Sequence, residues 1–305
     1  MGSFIVRRLI WTIVTIWAIL TVTYFIAFLV PADPARLIAG QHASAATLAA
    51  IRHHLGLDKP LWWRYLAYFN QFVHGNLGYD FIMRRTVSGM VLQAAPYTLY
   101  LAVVAVFFEI LIGIPVGIIS AVKRYSFIDN FLRFMTILGI SMPTYWVGSL
   151  LLVLVAFKLG VLPLGGVSPA GAILPGLAVG ITGSAFYARI LRSATLDVMR
   201  MDYVRTARAK GIPNWGVLMK HTVRNALIPV VTYFGLDFGT LLGGLIVTET
   251  IFNWTGLGFL LNTAIGNADG SLIMGITLFS ASSIVIMNLL VDIAYAFLDP
   301  RVSYS

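Results

Sequence analysis

The longest basic segment of this 305-residue chain reads Asp202-Tyr203-Val204-Arg205-Thr206-Ala207-Arg208-Ala209-Lys210-Gly211-Ile212-Pro213. We predict a helix from about Ser193 to Lys210, ended by Gly211, because glycine readily adopts the left-handed conformation that closes helices. Pro213 can then stand in the first turn of a second helix, where its missing N–H does no harm. Pro229 marks the return to apolar sequence. The segment is therefore predicted to be a helix–glycine–helix element between two apolar segments.

A solvated basic loop is the simpler interpretation of this segment. Its start and stop signals instead favour a folded element. Apolar side chains are also mixed with the charges, which suits docking against a partner; they are Val204, Ala207, Ile212, Trp215 and Val217.

The composition predicts a polytopic membrane protein. The chain is 59% hydrophobic and 11% charged, with a mean hydropathy of +0.87, whereas about a quarter of a soluble domain is charged. Cysteine is absent, which excludes a disulfide framework, a thiol nucleophile and a thiolate metal site. The net charge of +9 does not indicate nucleic-acid binding, because the basic residues lie beside apolar segments, as the positive-inside rule describes.

Six apolar segments are long enough to cross a bilayer, which needs about 20 residues. They are Leu9–Val30, Pro96–Val122, Phe131–Phe157, Ile173–Ile190, Leu227–Val247 and Leu272–Leu298. The first also resembles the start of a cleaved signal peptide, but no small-x-small cleavage site follows it, which favours a retained anchor. We predict a kink at Gly113–Gly117 and a break in the third span at Ser141-Met142-Pro143, because proline removes a helical hydrogen bond.

The chain divides into residues 1–30, an extracytoplasmic region 31–95, and a permease core 96–305 that carries the basic helices at 193–228. Lys and Arg beside the ends assigned to the cytoplasm are about twice as numerous as those outside, so both termini are predicted to be cytoplasmic. In the extracytoplasmic region a helix is predicted from Ala43 to Leu55, ended by Gly56, and an aromatic cluster around Trp62 suits a membrane interface.

Four histidines in this region, His42, His53, His54 and His74, raise the question of a metal site. Adjacent histidines point in different directions on a helix, and no acidic or cysteine partner stands at helical spacing. We therefore predict no metal site.

Three acidic residues lie inside predicted spans: Glu109, Asp237 and Asp292. Ionisable groups in hydrocarbon usually face the helix bundle or a water-filled cavity. For Glu109 and Asp237, a place on a solute pathway and a structural bond between helices remain equally open. For Asp292, near the cytoplasmic end, a structural role is favoured.

The chain carries no pattern for catalysis. A phosphate-binding GxxxxGK[ST] loop, HExxH and Gly-x-Ser-x-Gly are all absent from the sequence. We therefore predict that the chain is not an enzyme and has no catalytic residue.

The chain resembles permease subunits of the dipeptide, oligopeptide and nickel group of ABC importers. The resemblance rests on segments in the family's order: Leu55-Gly56-Leu57-Asp58-Lys59-Pro60, His74-Gly75-Asn76-Leu77-Gly78, Asp202 through Gly211, Arg224-Asn225-Ala226-Leu227-Ile228-Pro229, Val247-Thr248-Glu249-Thr250-Ile251-Phe252, and Asn288-Leu289-Leu290-Val291-Asp292 with Asp299-Pro300-Arg301. The general importer signature is Glu-Ala-Ala, three residues, then Gly. The chain matches it at Ala207 and Gly211 and departs from it at Arg205 and Thr206. Farther along the chain, Arg224 stands where the wider class often has Pro.

This resemblance implies an all-α membrane protein with six spans that forms half of a peptide pathway in a bacterial-type inner membrane. It assigns ATPase coupling to Val204, Arg205, Thr206, Ala207, Arg208, Ala209, Lys210 and Gly211, and we assign the pathway to Glu109, Ser141, Met142, Pro143 and Asp237. The implied partners are a second permease, two ATPase subunits that bind ATP and Mg²⁺, and an extracytoplasmic solute-binding protein; this chain itself would hold no cofactor. The alternatives are a nickel, glutathione or other small-solute importer, a self-sufficient proton-coupled transporter that uses Glu109 or Asp237, and a scaffold without transport.

Overall fold

The computed structural model describes residues 2–27, 34–39, 43–54 and 56–298 of the chain. Several predictions fall outside these ranges and concern His42, Leu55, the end of the first span at residues 28–33, and Asp299-Pro300-Arg301. The described chain folds into helices joined by short loops, with one two-stranded hairpin.

The first half of the chain has the following elements, named in chain order. They are α1 (Gly2–Ala27), α2 (Pro34–Ala39), α3 (Ala45–His54), α4 (Leu61–Val73), β1 (Tyr79–Asp80), β2 (Arg85–Thr86), α5 (Val87–Val122), α6 (Phe127–Ser141) and α7 (Thr144–Leu151), which continues as a π-helical segment Leu152–Lys158.

The second half begins with the long helix α8 (Ile173–Val198) and the short helix α9 (Asp202–Ala209). It continues with α10 (Asn214–Gly216), a π-helical segment Val217–Val223, α11 (Arg224–Ala226), α12 (Ile228–Leu242), α13 (Ile246–Ile251), α14 (Leu257–Gly266) and α15 (Gly270–Leu298).

Four helical segments, Ile5–Ile26, Val87–Val122, Ile173–Val198 and Gly270–Ile293, are each long and apolar enough to cross a membrane. Two bent pairs also pass this test when each pair is taken as one span: Phe127–Ser141 with Thr144–Lys158, and Asn214–Ala226 with Ile228–Leu242. The fold is therefore that of a helical polytopic membrane protein, and six spans result when each bent pair counts once.

The chain forms two compact units. One unit comprises the described parts of 1–98, 242–246 and 255–305, and the other comprises 99–241 and 247–254. In the first unit α1 packs along α15, and α4 packs against α1 through Tyr24, Tyr65 and Tyr68. The Tyr65 hydroxyl lies 2.8 Å from Thr21 Oγ1, whereas Trp62, one turn earlier on α4, is exposed.

In the second unit α8 is the central helix and packs against α6 and α7. Glycines bring α5 and α8 into close contact: a β-carbon on Gly113 would lie 2.7 Å from the Ser184 carbonyl oxygen, and one on Gly117 would lie 2.8 Å from that of Ala188. The α5 helix runs unbroken through the segment where we predicted a kink. The glycines there serve helix packing, as small residues commonly do between membrane helices.

The break predicted in the third span is confirmed. Helix α6 ends at Ser141, Met142 is extended, and Pro143 caps α7. A residue before proline is pushed towards extended conformation, and proline cannot donate a hydrogen bond to a preceding carbonyl. The direction of the chain bends by 101° between the helix that ends at Ser141 and the helix that begins at Thr144.

Three predicted boundaries are wrong. Helix α5 begins at Val87, not at Pro96, where the second span was predicted to begin. Helix α8 extends the fourth span from Ile190 to Val198. The helix predicted from Ser193 to Lys210 is two helices, because the chain turns at residues 199–201.

Candidate functional site

The basic element is a folded helix pair in which α9 packs on the π-helical segment Val217–Val223. Val204, Ala207 and Val217 form a small buried cluster, with Val198 and Ile212 packed against it. This burial accounts for the turn after α8, because a straight helix would leave the apolar side of α9 in solvent. The apolar residues in the basic segment thus serve the element's own core.

Gly211 ends α9 in the predicted left-handed conformation, with φ of +79°. Its N–H donates to the Arg208 carbonyl oxygen at 2.9 Å, which closes the last turn. Pro213 caps the next helix from the position before its first residue, one residue earlier than predicted. The loop at Gly211 therefore sets the direction in which the chain leaves α9.

The outer face of α9 is polar and open. Arg205, Thr206, Arg208, Ala209, Lys210 and Gly211 are exposed, whereas Val204 and Ala207 are buried. The Asn225 side-chain amide donates to the Tyr203 hydroxyl at 3.0 Å, which ties the start of α9 to the end of the element. The buried position of Ala207 differs from the expectation that it lies on a docking surface.

Glu109 on α5 and Asp237 on α12 are brought together. Their carboxyl groups face each other, and the Tyr187 hydroxyl on α8 donates to Asp237 Oδ2 at 3.0 Å. Glu109 is 1% exposed, whereas Asp237 is half-buried. The absence of a side chain on Gly183 leaves room for the Glu109 carboxyl group.

The remaining predicted pathway residues lie at the break between α6 and α7. Ser141 and Pro143 are exposed, and Met142 is half-buried against the apolar cluster around Val147. The Thr144 hydroxyl lies 3.2 Å from that of Thr182 on α8. The break therefore places the hydroxyl groups of Ser141 and Thr144 at the junction of the two helices.

The structure also shows a buried ion pair that the sequence reading missed. Asp129 on α6 is fully buried, and Arg192 on α8 reaches both of its carboxylate oxygens at 3.0 Å. Ser120 on α5 donates to Asp129 at 2.6 Å, so the pair joins three helices. A partial signal was present, because Ser126 with Asp129 three residues later is a helix-start pattern, and Ser126 does cap α6.

Asp292 forms an ion pair with Arg8 of α1, with 3.0 Å between Arg8 Nη1 and Asp292 Oδ2. This contact between α1 and α15 agrees with the structural role favoured for Asp292. Among the histidines, His53 Nδ1 contacts Asp58 at 2.7 Å and His74 Nδ1 contacts the Asn70 carbonyl oxygen. Within the described ranges no group of three His, Cys, Asp or Glu side chains could hold a metal ion.

The comparisons with known proteins agree with this architecture. Residues 113–304 match the family of binding-protein-dependent transport system inner membrane components, and residues 1–102 match the N-terminal region of the same membrane components. The glutathione transport system permease protein GsiC of Escherichia coli strain K12 and that of Salmonella typhimurium strain LT2 are each 38% identical to this chain over 305 residues and the full length of both proteins.

A solved structure of the MetNI methionine ABC transporter, in an inward-facing conformation, shares the fold. Its TM-score is 0.56 at 19% identity, and the match covers 68% of this chain and 94% of that chain. The family matches, the full-length relatives and the shared fold lead to one conclusion: this chain belongs to the family of binding-protein-dependent transport system inner membrane components and is a non-catalytic permease subunit of an ABC importer.

Proposed function

We propose that this permease forms half of an import pathway for short peptides, with glutathione among its solutes. The full-length similarity to glutathione transport system permeases supports the substrate class. A second permease would complete the pathway, two ATPase subunits would bind ATP and Mg²⁺, and a solute-binding protein would deliver the peptide outside the inner membrane.

The observation that carries the transport role is the helix pair at residues 202–223. It has its own apolar core, a capped turn at Gly211 and a charged outer face. An ATPase subunit that docks on this outer face would move α9 and the π-helical segment together, because Val204, Ala207 and Val217 join them. Residues 204–211 are therefore proposed as the coupling element, with Val204 and Ala207 acting inside it and the exposed residues at the contact.

For the pathway we propose the break at Ser141, Met142 and Pro143 together with Asp237. Asp237 is half-buried and is held by Tyr187, so its carboxyl group has a defined position with access from one side. Glu109 is buried behind it and would act on the pathway by positioning Asp237. A charged or polar wall suits the termini and amides of a peptide better than an apolar one.

The substrate proposal is tested in proteoliposomes that contain the complete importer and its binding protein. Labelled glutathione should be transported only when ATP is present on the side of the membrane that carries the ATPase subunits. Unlabelled glutathione and dipeptides should compete with this transport, and nickel should not. Collapse of the proton gradient should leave uptake unchanged. Uptake that requires a proton gradient and no ATPase subunit would contradict the assignment as an ATP-driven importer. Competition by nickel alone would indicate that the solutes are metal chelates rather than peptides.

The proposed topology places both termini and residues 199–226 in the cytoplasm, so that Ile228–Leu242 alone of the second bent pair lies in the membrane as the fifth span. It places the segment before α5 outside. Because the chain has no cysteine, single cysteines at Ser44 and Ser126 report their sides directly. Intact cells should label Ser44→Cys but not Ser126→Cys with a membrane-impermeant maleimide, and permeabilised cells should label both. Labelling of both positions in intact cells would contradict the six-span topology.

A further inference from the structure

Two acidic side chains outside the spans meet in the first unit. Asp80 is the last residue of β1, and Asp269 stands immediately before α15. Asp80 is 0% exposed and Asp269 is 5% exposed. The strand β1 contacts α15, and the two carboxyl groups are close enough for Asp80 to raise the pKa of Asp269.

Each carboxyl group already uses one oxygen to accept hydrogen bonds from backbone N–H groups. Asp80 Oδ1 accepts from Ile82 at 2.7 Å and from Met83 at 3.1 Å, and Asp269 Oδ1 accepts from Leu272 at 3.0 Å. Asp80 Oδ2 is buried and receives no hydrogen bond from any donor in the described part of the chain. A buried polar oxygen without a partner is costly, and this one faces a second acid.

Among the described residues, no cationic side chain is paired with either carboxyl group. The charged residues of the hairpin, Arg84 and Arg85, are exposed, and Arg85 donates to Gln93 on α5. The titratable group at the end of α4, His74, is exposed and bound to a backbone carbonyl. Between Leu257, where α14 begins, and Asp292 in α15, Asp269 is the one titratable side chain in the sequence.

The remaining contacts are apolar and close. Leu77, Val87, Leu272 and Ile276 belong to one buried cluster around the hairpin and the first turns of α15. Gly275 has no room for a β-carbon, which would overlap the Val87 side chain. This close packing leaves little space for a hydrated metal ion, whereas a proton needs no space.

We propose that Asp80 and Asp269 form a proton-binding site, in which one proton shared between the two carboxyl groups fastens the hairpin 79–86 to the start of α15. The O–H of one carboxylic acid donates to the unpaired oxygen of the other group, so the proton satisfies the buried oxygen and removes one of two like charges. The site is independent of which solute the importer carries.

The direction of the pH effect follows from Asp269. Burial, and then the neighbouring Asp80 carboxyl group, raise the pKa of Asp269 to about 6. Because the folded protein holds this proton more tightly than the unfolded chain, the stabilisation is fully present below the ordinary aspartate pKa and is lost as pH rises through about 6. In detergent both faces of the protein are exposed to the same pH, so the measurement does not depend on the side of the membrane on which the two residues lie.

The test is the melting temperature of the purified complex between pH 4.5 and 8. The wild type should lose about 2–3 °C as pH rises from 5 to 7, and Asp80→Asn should remove this step, because an amide N–H donates to Asp269 without a proton. Asp269→Asn should do the same from the other side. Asp197→Asn, at an exposed position, is the matched control and should keep the wild-type profile.

Three results would overturn the proposal. The first is an unchanged pH step in both Asp80→Asn and Asp269→Asn. The second is failure of both variants to fold at any pH, which would show that an amide cannot replace the proton. The third is a wild-type melting temperature at pH 7.5 that rises with added Ca²⁺ and falls with a chelator, which would make the pair a cation site.

Discussion

Arg192→Ala is expected to lower the free energy of unfolding by about 3–5 kcal/mol, because it leaves the Asp129 carboxylate buried without its partner. Asp129 has no exposed surface, and both of its oxygens bond to Arg192 in a two-pronged arrangement. Ser120 and the Tyr125 N–H, the other donors to Asp129, are too few to replace a guanidinium. Thermal unfolding of the purified importer in detergent, with the yield of assembled complex, measures the loss.

The matched variants separate charge from geometry. Arg192→Lys keeps the charge but loses the two-pronged contact, so it should fall between wild type and Arg192→Ala. The double variant Asp129→Leu/Arg192→Met removes both charges and should recover much of the stability, since an apolar pair often replaces a buried ion pair without loss. If Arg192→Ala were as stable as the wild type, the pair would not hold α5, α6 and α8 together.

Ala207→Trp is expected to abolish uptake and the stimulation of ATP hydrolysis by the loaded binding protein. Ala207 is 5% exposed and packs against Val204 and Val217. An indole ring does not fit this cluster, so α9 would separate from the π-helical segment and could no longer transmit a movement to the spans. Overpacking of this kind typically costs about 1–3 kcal/mol, enough to unfold a small element while the apolar spans still insert.

Two controls locate this effect. Ala207→Ser keeps the small volume and should retain most uptake. Ala209→Trp places the same ring on the exposed side of α9, so it should weaken capture of the ATPase subunits while the melting temperature of the permease stays unchanged. Normal uptake and normal assembly in both Ala207→Trp and Ala209→Trp would remove α9 from the coupling mechanism.

Features set by the local backbone were predictable from the sequence. Gly211 and Gly56 adopt the left-handed conformation expected at the ends of their helices, with φ of +79° and +64°. Pro143 breaks the third span because proline and the residue before it cannot continue a helix. The apolar composition predicted a helical membrane protein, because lipid forces a spanning backbone to satisfy its own hydrogen bonds.

Features that depend on distant contacts were not predictable from one sequence. No glycine or proline marks the turn after Val198; the chain turns there because Val204 and Ala207 are buried against Val217. Asp129 and Arg192 stand 63 positions apart, and nothing in either local sequence names the other as its partner. Asp80 and Asp269 are still further apart, and each alone has the pattern of an ordinary turn or helix-start aspartate.

The sequence was therefore sufficient for the class of fold, for the helix ends that glycine or proline marks, and for the position of the basic element. These follow from composition and from backbone rules that act over a few residues. The inward position of Ala207 and the pairing of the acids at Asp80 and Asp269 arose only when helices and hairpin packed together. Packing determines which apolar side chains leave solvent and which polar atoms lose water. Both depend on residues that are distant in sequence and become neighbours only in the folded protein.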